Sequence, residues 1–431
     1  MLTISELEDF IKSHIDGIKP SPADLKRYRL RIGAYDLSLD IKSSESKQLF
    51  KKAVVFVTDR PNYFFLRVSI ALKKRGIKTV LLTRWGVEPE QGQFFDHIVL
   101  YDTIFDLKAF KECHECLIYV QSWVGWNFLP LYIKLITTNL VACNVNDLIG
   151  LLFDKKEHAV LLGLSETEIS MDILCERIIL EDYELVTLPY TLEVLENIDT
   201  ELKMRFDKNI FYMPCYPVKP FFAKPNQRQK KRTLNLLYIG GVPPDHKSDK
   251  VFSDAKLHGI VSDLLNSPFN LTIYNNPQIA ADSEKLKLLY PHFTEIEELH
   301  NSFHFRVGYP PWQLKNHARD FDYGLMLYIF DDVLISRNHY RTIIPTKFFT
   351  YMELGLPVIV IDEMEAVSKI VVENNLGVII AKDEIKNLDQ ILIKMQNRYS
   401  EILESIAQYR IKNSMDNMVW PILEAYSKII R

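Results

Sequence analysis

The chain has 431 residues, 47% hydrophobic and 25% charged, a balance typical of globular proteins and a length that suits two domains better than one core. A formal net charge of −4 argues against nucleic acid as the main partner. Residues 1–9 are acidic and lack the basic region and apolar core of a signal peptide. The most apolar stretch, 128–145, is broken by Lys134 and by Thr137, Thr138 and Asn139, so it reads as helix, turn and strand and not as a membrane span. These features predict a soluble, cytoplasmic protein.

Residues 1–50 are polar and predict a helical extension, with Thr3 or Ser5 capping a first helix through about His14. From Lys52 onward, buried strands are expected at 53–57, 79–82, 97–101, 117–120, 140–145 and 184–188. Helical runs separate them, including one over 62–75. Strands alternating with helices predict a parallel, doubly wound sheet over 51–215. Residues 216–233 carry Pro217, Pro220 and Pro225, then Lys224, Arg228, Lys230, Lys231 and Arg232. That composition reads as a connector, and its cations could alternatively touch anionic lipid as a peripheral membrane contact.

A second alternation fills 234–410, with strands expected at 234–239, 270–274, 304–307, 323–327, 358–361 and 378–380. Residues 411–431 form a final helical stretch that could cross back to the first domain. The five cysteines are scattered and mostly sit among apolar residues, as reduced core thiols do. Cys113 and Cys116 read as a helix-to-strand junction, because no second Cys or His pair lies at zinc-site spacing. No metal is suggested by ligand spacing anywhere, and neither Gly-x-Gly-x-x-Gly nor a Walker lysine motif is present.

The most informative stretch is 344–361. Pro345 suits a helix entry, Gly355 a helix stop, and Pro357 prevents the helix from resuming before the apolar strand 358–361. A helix start beside a parallel sheet offers free N–H groups and a positive dipole end, a natural seat for phosphate. Lys347, one position into that helix, is placed to meet such a phosphate, and Thr346 opens it. Arg337, His339 and Arg341 are expected in the loop ahead of the helix. Gly240 and Gly241, at the end of strand 234–239, would let backbone N–H groups approach an oxygen closely. His246, Lys247 and Lys250 follow as weaker candidates of the same kind.

The pattern Pro345, Lys347, Phe348, Tyr351, Met352, Gly355, Pro357, Val358 resembles the donor-binding segment of GT-B glycosyltransferases, particularly family 4-like enzymes. The likeness extends through most of 52–430. It implies two Rossmann-like doubly wound domains facing across a cleft. It also implies a nucleotide-sugar donor and a glycan, lipid-linked or protein acceptor, with no metal and no cofactor. By resemblance, the helix start at Thr346 and Lys347 would hold the donor diphosphate, with Arg337 or Arg341 facing the diphosphate or sugar. Arg306, Val307, Gly308 and Tyr309 would lie at the nucleotide base. Many members carry two glutamates eight positions apart; here those places are Thr342 and Thr350. Thr350 could hydrogen-bond a hydroxyl but supplies no charge, so retention of configuration follows only from the resemblance. Glu353, later in the helix, reads as structural.

On the acceptor side, Asp59 and Asn62 follow the first strand, Trp123 follows the fourth, and Asn146 and Asp147 follow the fifth. Asp147 is the candidate for acceptor contact or proton acceptance, set against an ordinary turn-capping role. Trp123 and Trp126 could stack on a sugar ring or fill the core. The expected activity is glycosyl transfer in surface-glycan biosynthesis or protein glycosylation. The rivals are a sugar-nucleotide epimerase of the same plan and a catalytically silent partner that binds a nucleotide-sugar. No oligomeric state is implied.

Overall fold

The computed structural model describes residues 3–15, 41, 48–59, 61–84, 87, 89–153, 163–191, 193, 209–224, 233–244, 255–276, 282–330 and 335–430. The chain divides into two compact units. One comprises residues 1–151, 155–215 and 415–431, and the other residues 152–154 and 216–414. Each is built on its own parallel sheet.

The sheet of the first unit has seven strands: β1 (Ala53–Thr58), β2 (Lys78–Thr83), β3 (His97–Leu100), β4 (Leu117–Ser122), β5 (Leu140–Val145), β6 (Val186–Leu188) and β7 (Ile210–Tyr212). Their spatial order is 3-2-1-4-5-6-7, all neighbours parallel. β1 and β4 are buried along their whole length, as continuous apolar strands covered on both faces should be. Helix α1 (Ile4–Phe10) begins at Thr3 in a reciprocal capping box with Glu6, the arrangement that satisfies two orphan donors at once. Asn62 caps α2 (Tyr63–Lys73) by accepting the Phe65 N–H at 2.6 Å. Helix α3 (Phe128–Ile136) is buried on nearly every face, and α4 (Glu166–Asp182) starts in a Ser165–Glu168 capping box. The chain's end belongs to this unit: Trp420 meets Phe211 edge-on at 5.2 Å, and the Tyr426 hydroxyl donates to the Lys52 carbonyl at 2.9 Å.

The second sheet has six strands: β8 (Leu234–Gly240), β9 (Phe269–Asn275), β10 (Phe303–Val307), β11 (Tyr323–Met326), β12 (Val358–Ile361) and β13 (Gly377–Ile380). They order as 10-9-8-11-12-13, so the winding reverses between β8 and β11. The expected pair of doubly wound α/β sheets is therefore present. Helix α5 (Arg337–Thr342) precedes α6 (Thr346–Leu354), and α7 (Glu365–Asn374) and α8 (Tyr399–Lys412) follow. Pro345 caps α6 at its start, and Gly355 ends it with φ 69°, the left-handed turn that an L side chain resists. No helix of the described residues is long and apolar enough to cross a membrane.

Two readings of the sequence need correction here. Arg337, His339 and Arg341 lie on α5 and not in a loop, because the Ser336 hydroxyl accepts the Asn338 N–H at 3.1 Å and starts a helical turn. The stretch after Tyr216 is not free connector throughout. The buried Glu353 carboxylate accepts the Val218 N–H at 3.0 Å, and the Glu353 carbonyl accepts the Ala223 N–H at 2.9 Å. Those bonds fasten 216–223 to the second unit and make Glu353 structural. Arg228, Lys230, Lys231 and Arg232 lie outside the described residues, as do His246, Lys247 and Lys250.

Tyr351 is the buried pin of the second sheet. Its hydroxyl lies 3.1 Å from the Leu237 carbonyl and 2.9 Å from the Leu325 carbonyl, and it accepts the Ile239 N–H at 3.0 Å. The ring lies flat against Gly324, where an added Cβ would meet it at 2.4 Å. Gly324→Ala is expected to destabilise the protein by about 1–3 kcal/mol through overpacking, read as a lower denaturant midpoint with an unchanged m-value.

Candidate functional site

Ligands of open α/β sheets sit at the carboxyl ends of the strands where the winding reverses. In the second unit that place lies between β8 and β11. β8 ends at Gly240, whose φ of 133° is a conformation that L side chains rarely adopt. A Cβ there would stand 3.3 Å from the Lys347 Nζ, so the ammonium lies directly against the glycine backbone. Lys347 donates to the Tyr238 hydroxyl at 2.9 Å, and its charge sits 4.1 Å from the Tyr238 ring centre and 4.6 Å from that of Tyr328. Two rings sharing one ammonium hold it by cation–π attraction, worth about 0.5–2 kcal/mol according to desolvation.

Period 2 along β8 puts Tyr238 and Gly240 on the same face, and Tyr328 lies just beyond β11. The turn after Gly240 is fixed from below. The Asn275 Oδ1 accepts the Val242 N–H at 2.9 Å, and the Tyr290 hydroxyl donates to the Val242 carbonyl at 2.6 Å. Gly241 is exposed above it, and Thr346 is exposed at the start of α6. The result is a cation, a glycine turn and a helix N-terminus converging at one strand end, an arrangement suited to a polyphosphate.

The other donor-side candidates are placed differently. Arg341 makes a two-pronged pair with Glu365 on α7, at 2.7 and 3.1 Å. Arg337 donates to the Phe330 carbonyl at 3.4 Å. The Thr350 hydroxyl donates to the Thr346 carbonyl at 3.2 Å and that of Thr342 to the Asn338 carbonyl at 2.7 Å, so both are engaged within their own helices. His339 is buried, and burial pulls its pKa down to about 4. Arg306 pairs with Glu297 at the far side of β10. Val307 ends that strand, and the Gly308 N–H donates to the Asn275 carbonyl at 2.7 Å. Tyr309 lies parallel to His317, ring centres 4.1 Å apart, with Tyr274 edge-on to both. That stack offers an aromatic platform, and Asn275 links it to the glycine turn.

In the first unit the winding reverses between β1 and β4. Asp59 follows β1 and Arg84 follows β2, and the register pairs Thr58 with Thr83. The two charges therefore sit side by side, Nε to Oδ1 at 3.6 Å, both at least nine-tenths buried. Arg84 also lies 5.9 Å from the Trp126 ring centre. Trp126 and Trp123 meet edge-on at 6.4 Å, both partly exposed. Their loop is held by buried Asp172 on α4, which accepts from the Gly125 N–H at 2.7 Å, the Asn127 N–H at 2.9 Å and the Asn127 side-chain amide at 3.0 Å. The Asn62 Oδ1 caps its helix, and the Asn146 N–H donates to the Ser122 carbonyl at 3.0 Å.

Asp147 follows β5, next to buried Tyr190, whose hydroxyl accepts the Leu148 N–H at 3.2 Å. Desolvation pushes its carboxyl from 3.8 up to about 6, a value suited to a proton acceptor near neutral pH.

Sequence reasoning missed Tyr238, Tyr328, Asn275, Tyr290, Arg84 and Asp172. Tyr238 was readable from its spacing to Gly240, and Arg84 from its position after β2, equivalent to that of Asp59 after β1. Among the described residues no group of three or more His, Cys, Asp or Glu could hold a metal ion.

The raised Asp147 pKa carries a stability consequence. Between 3.8 and about 6 the folded state binds more protons than the unfolded one, so this group's contribution falls as pH rises and is fully unfavourable above that window. Asp147→Asn is expected to raise the melting temperature at about pH 7.5, with the gain shrinking to nothing by about pH 4. A gain that is independent of pH would contradict the assigned burial effect.

Residues 273–418 match the family model described as Glucosyltransferase 3-like, C-terminal domain. No curated protein matches the chain. Among solved structures, sucrose-phosphate synthase from Thermosynechococcus elongatus is similar at TM-score 0.58 and 12% identity, covering 88% of this chain and 99% of that one. HepE from Anabaena, in complex with UDP and glucose, is similar at TM-score 0.58 and 12% identity, covering 87% and 99%. WaaG, a glycosyltransferase involved in lipopolysaccharide biosynthesis, is similar at TM-score 0.51 and 13% identity, covering 86% and 98%. The chain thus has the GT-B glycosyltransferase fold, two Rossmann-like parallel sheets, and carries the Glucosyltransferase 3-like C-terminal signature over residues 273–418.

Proposed function

We propose that the chain transfers a sugar from a nucleotide-sugar to a hydroxyl of a glycan, lipid-linked or protein acceptor. Surface-glycan biosynthesis and protein glycosylation are the settings such a transfer fits. The observation that carries this reading is the Lys347 ammonium held against the Gly240 turn at the N-terminus of α6. As the bond between the anomeric carbon and the diphosphate oxygen breaks, that oxygen gains negative charge. A fixed cation and helix N–H groups aimed there stabilise the transition state more than the ground state. The acceptor oxygen forms the new bond and gives up its proton, and Asp147, with its pKa near 6, is the group in the first unit suited to take it.

UDP-glucose is the donor to try first. The matching model is described as glucosyltransferase-like, and HepE holds UDP and glucose. The Tyr309–His317 stack would receive the base, with Gly241 and Thr346 beside the phosphates. Retention of configuration belongs to this reading by resemblance. Peripheral membrane contact belongs to it where the acceptor is lipid-linked.

One observation favours a second reading. With Thr342 and Thr350 back-bonded to their own helices, no carboxylate stands where relatives place two, which suits a silent nucleotide-sugar-binding partner. A donor assay separates these readings. UDP release from UDP-glucose, accelerated by acceptor, supports transfer; interconversion of sugars without release supports an epimerase; binding with neither supports the silent module. Lys347→Ala is expected to weaken UDP binding by about tenfold or more, since charge-assisted contacts contribute about 1.5–3 kcal/mol. The melting temperature should fall with loss of the two ring contacts while circular dichroism shows the fold retained. Unchanged affinity by calorimetry would remove Lys347 from the site.

A further inference from the structure

The second unit contains a cavity of about 220 Å³ at the C-terminal end of α6, about 10 Å along the helix from Lys347. Leu354, Leu356, Leu403 and Ala407 give it apolar walls, and Tyr399 and Arg410 of α8 add polar groups. Arg410 is only 9% exposed. Its Nη1 donates to the carbonyls of Glu353 at 3.2 Å and Ala223 at 3.4 Å, and its guanidinium carbon lies 4.5 Å from the Phe222 ring centre. Those contacts use one nitrogen. Nε is buried with no hydrogen-bond partner, and among the described residues no carboxylate lies within ion-pair distance of the guanidinium.

Burial lowers the Arg410 pKa with no neighbouring acid opposing the shift. Arginine nevertheless stays charged in proteins. A buried cation without an ion-pair partner is costly, and an anion placed against its accessible edge recovers part of that cost. Two exposed groups, Lys224 and Glu404, also line the cavity; their charges offset each other and leave the single charge of Arg410 to be matched. The open edge of a guanidinium is a fork that fits a planar carboxylate. The leucine and tyrosine walls fit an apolar or aromatic body.

We propose that this cavity binds a small organic monocarboxylate, its carboxylate on Arg410 and its apolar body against Leu354, Leu356, Leu403 and Tyr399. The site is separate from the donor-binding cluster, and its test does not depend on catalysis. Benzoate is the probe, benzamide its neutral counterpart, and inorganic phosphate the anion without an apolar body, each titrated calorimetrically into the full chain at matched ionic strength. Saturable benzoate binding is expected, with benzamide and phosphate each at least about tenfold weaker, as loss of one charge-assisted contact implies. Arg410→Lys should weaken benzoate by a similar factor. Ala407→Trp, which fills the cavity and spares Arg410, should abolish binding while circular dichroism shows the fold retained. Absence of saturable benzoate binding would overturn the proposal. So would equal binding of benzamide or phosphate, or benzoate binding that survives Ala407→Trp.

Discussion

The second unit is organised around one contact, the Lys347 ammonium resting on the Gly240 backbone between two tyrosine rings. An ammonium in that position requires a strand end without a side chain, because a Cβ at residue 240 would crowd Nζ at 3.3 Å. It also requires α6 to begin beside β8, which Pro345 and the reversal of strand order between β8 and β11 together arrange. Tyr351, one helical turn further on, locks that geometry by bonding to both strands at once. The Lys347 ammonium and the structural pin are thus on the same short helix. Its far end is fastened through Glu353 and Arg410.

The first unit handles charge in a different way. Asp59 and Arg84 are paired and buried at the strand ends, where loss of one partner would cost about 3–5 kcal/mol. Asp172 spends its carboxylate on three donors in the tryptophan loop. Asp147 has no such company and is left with a raised pKa.

The sheets were legible because parallel strands buried on both faces are written as continuous apolar runs, such as 53–57 and 358–361, and because Pro345 and Gly355 punctuate α6. The places of Lys347 and Gly240 in the fold were legible for the same reason: each sits at a fixed offset from a strand or helix end. Side-chain partnerships between distant elements were not. Nothing local to Arg341 says that Glu365 will neutralise it, and nothing near Glu353 says that Val218 will donate to it. The short helix at 337–342 escaped because its start depends on one Ser336 hydroxyl bond, which hydrophobic periodicity does not register.

The most direct measurement is a crystal structure of the chain with UDP bound. The diphosphate is expected within hydrogen-bond distance of the Lys347 ammonium and the backbone after Gly240, at the start of α6, with the uracil near Tyr309. A diphosphate bound elsewhere, with Lys347 still lodged between Tyr238 and Tyr328, would contradict it.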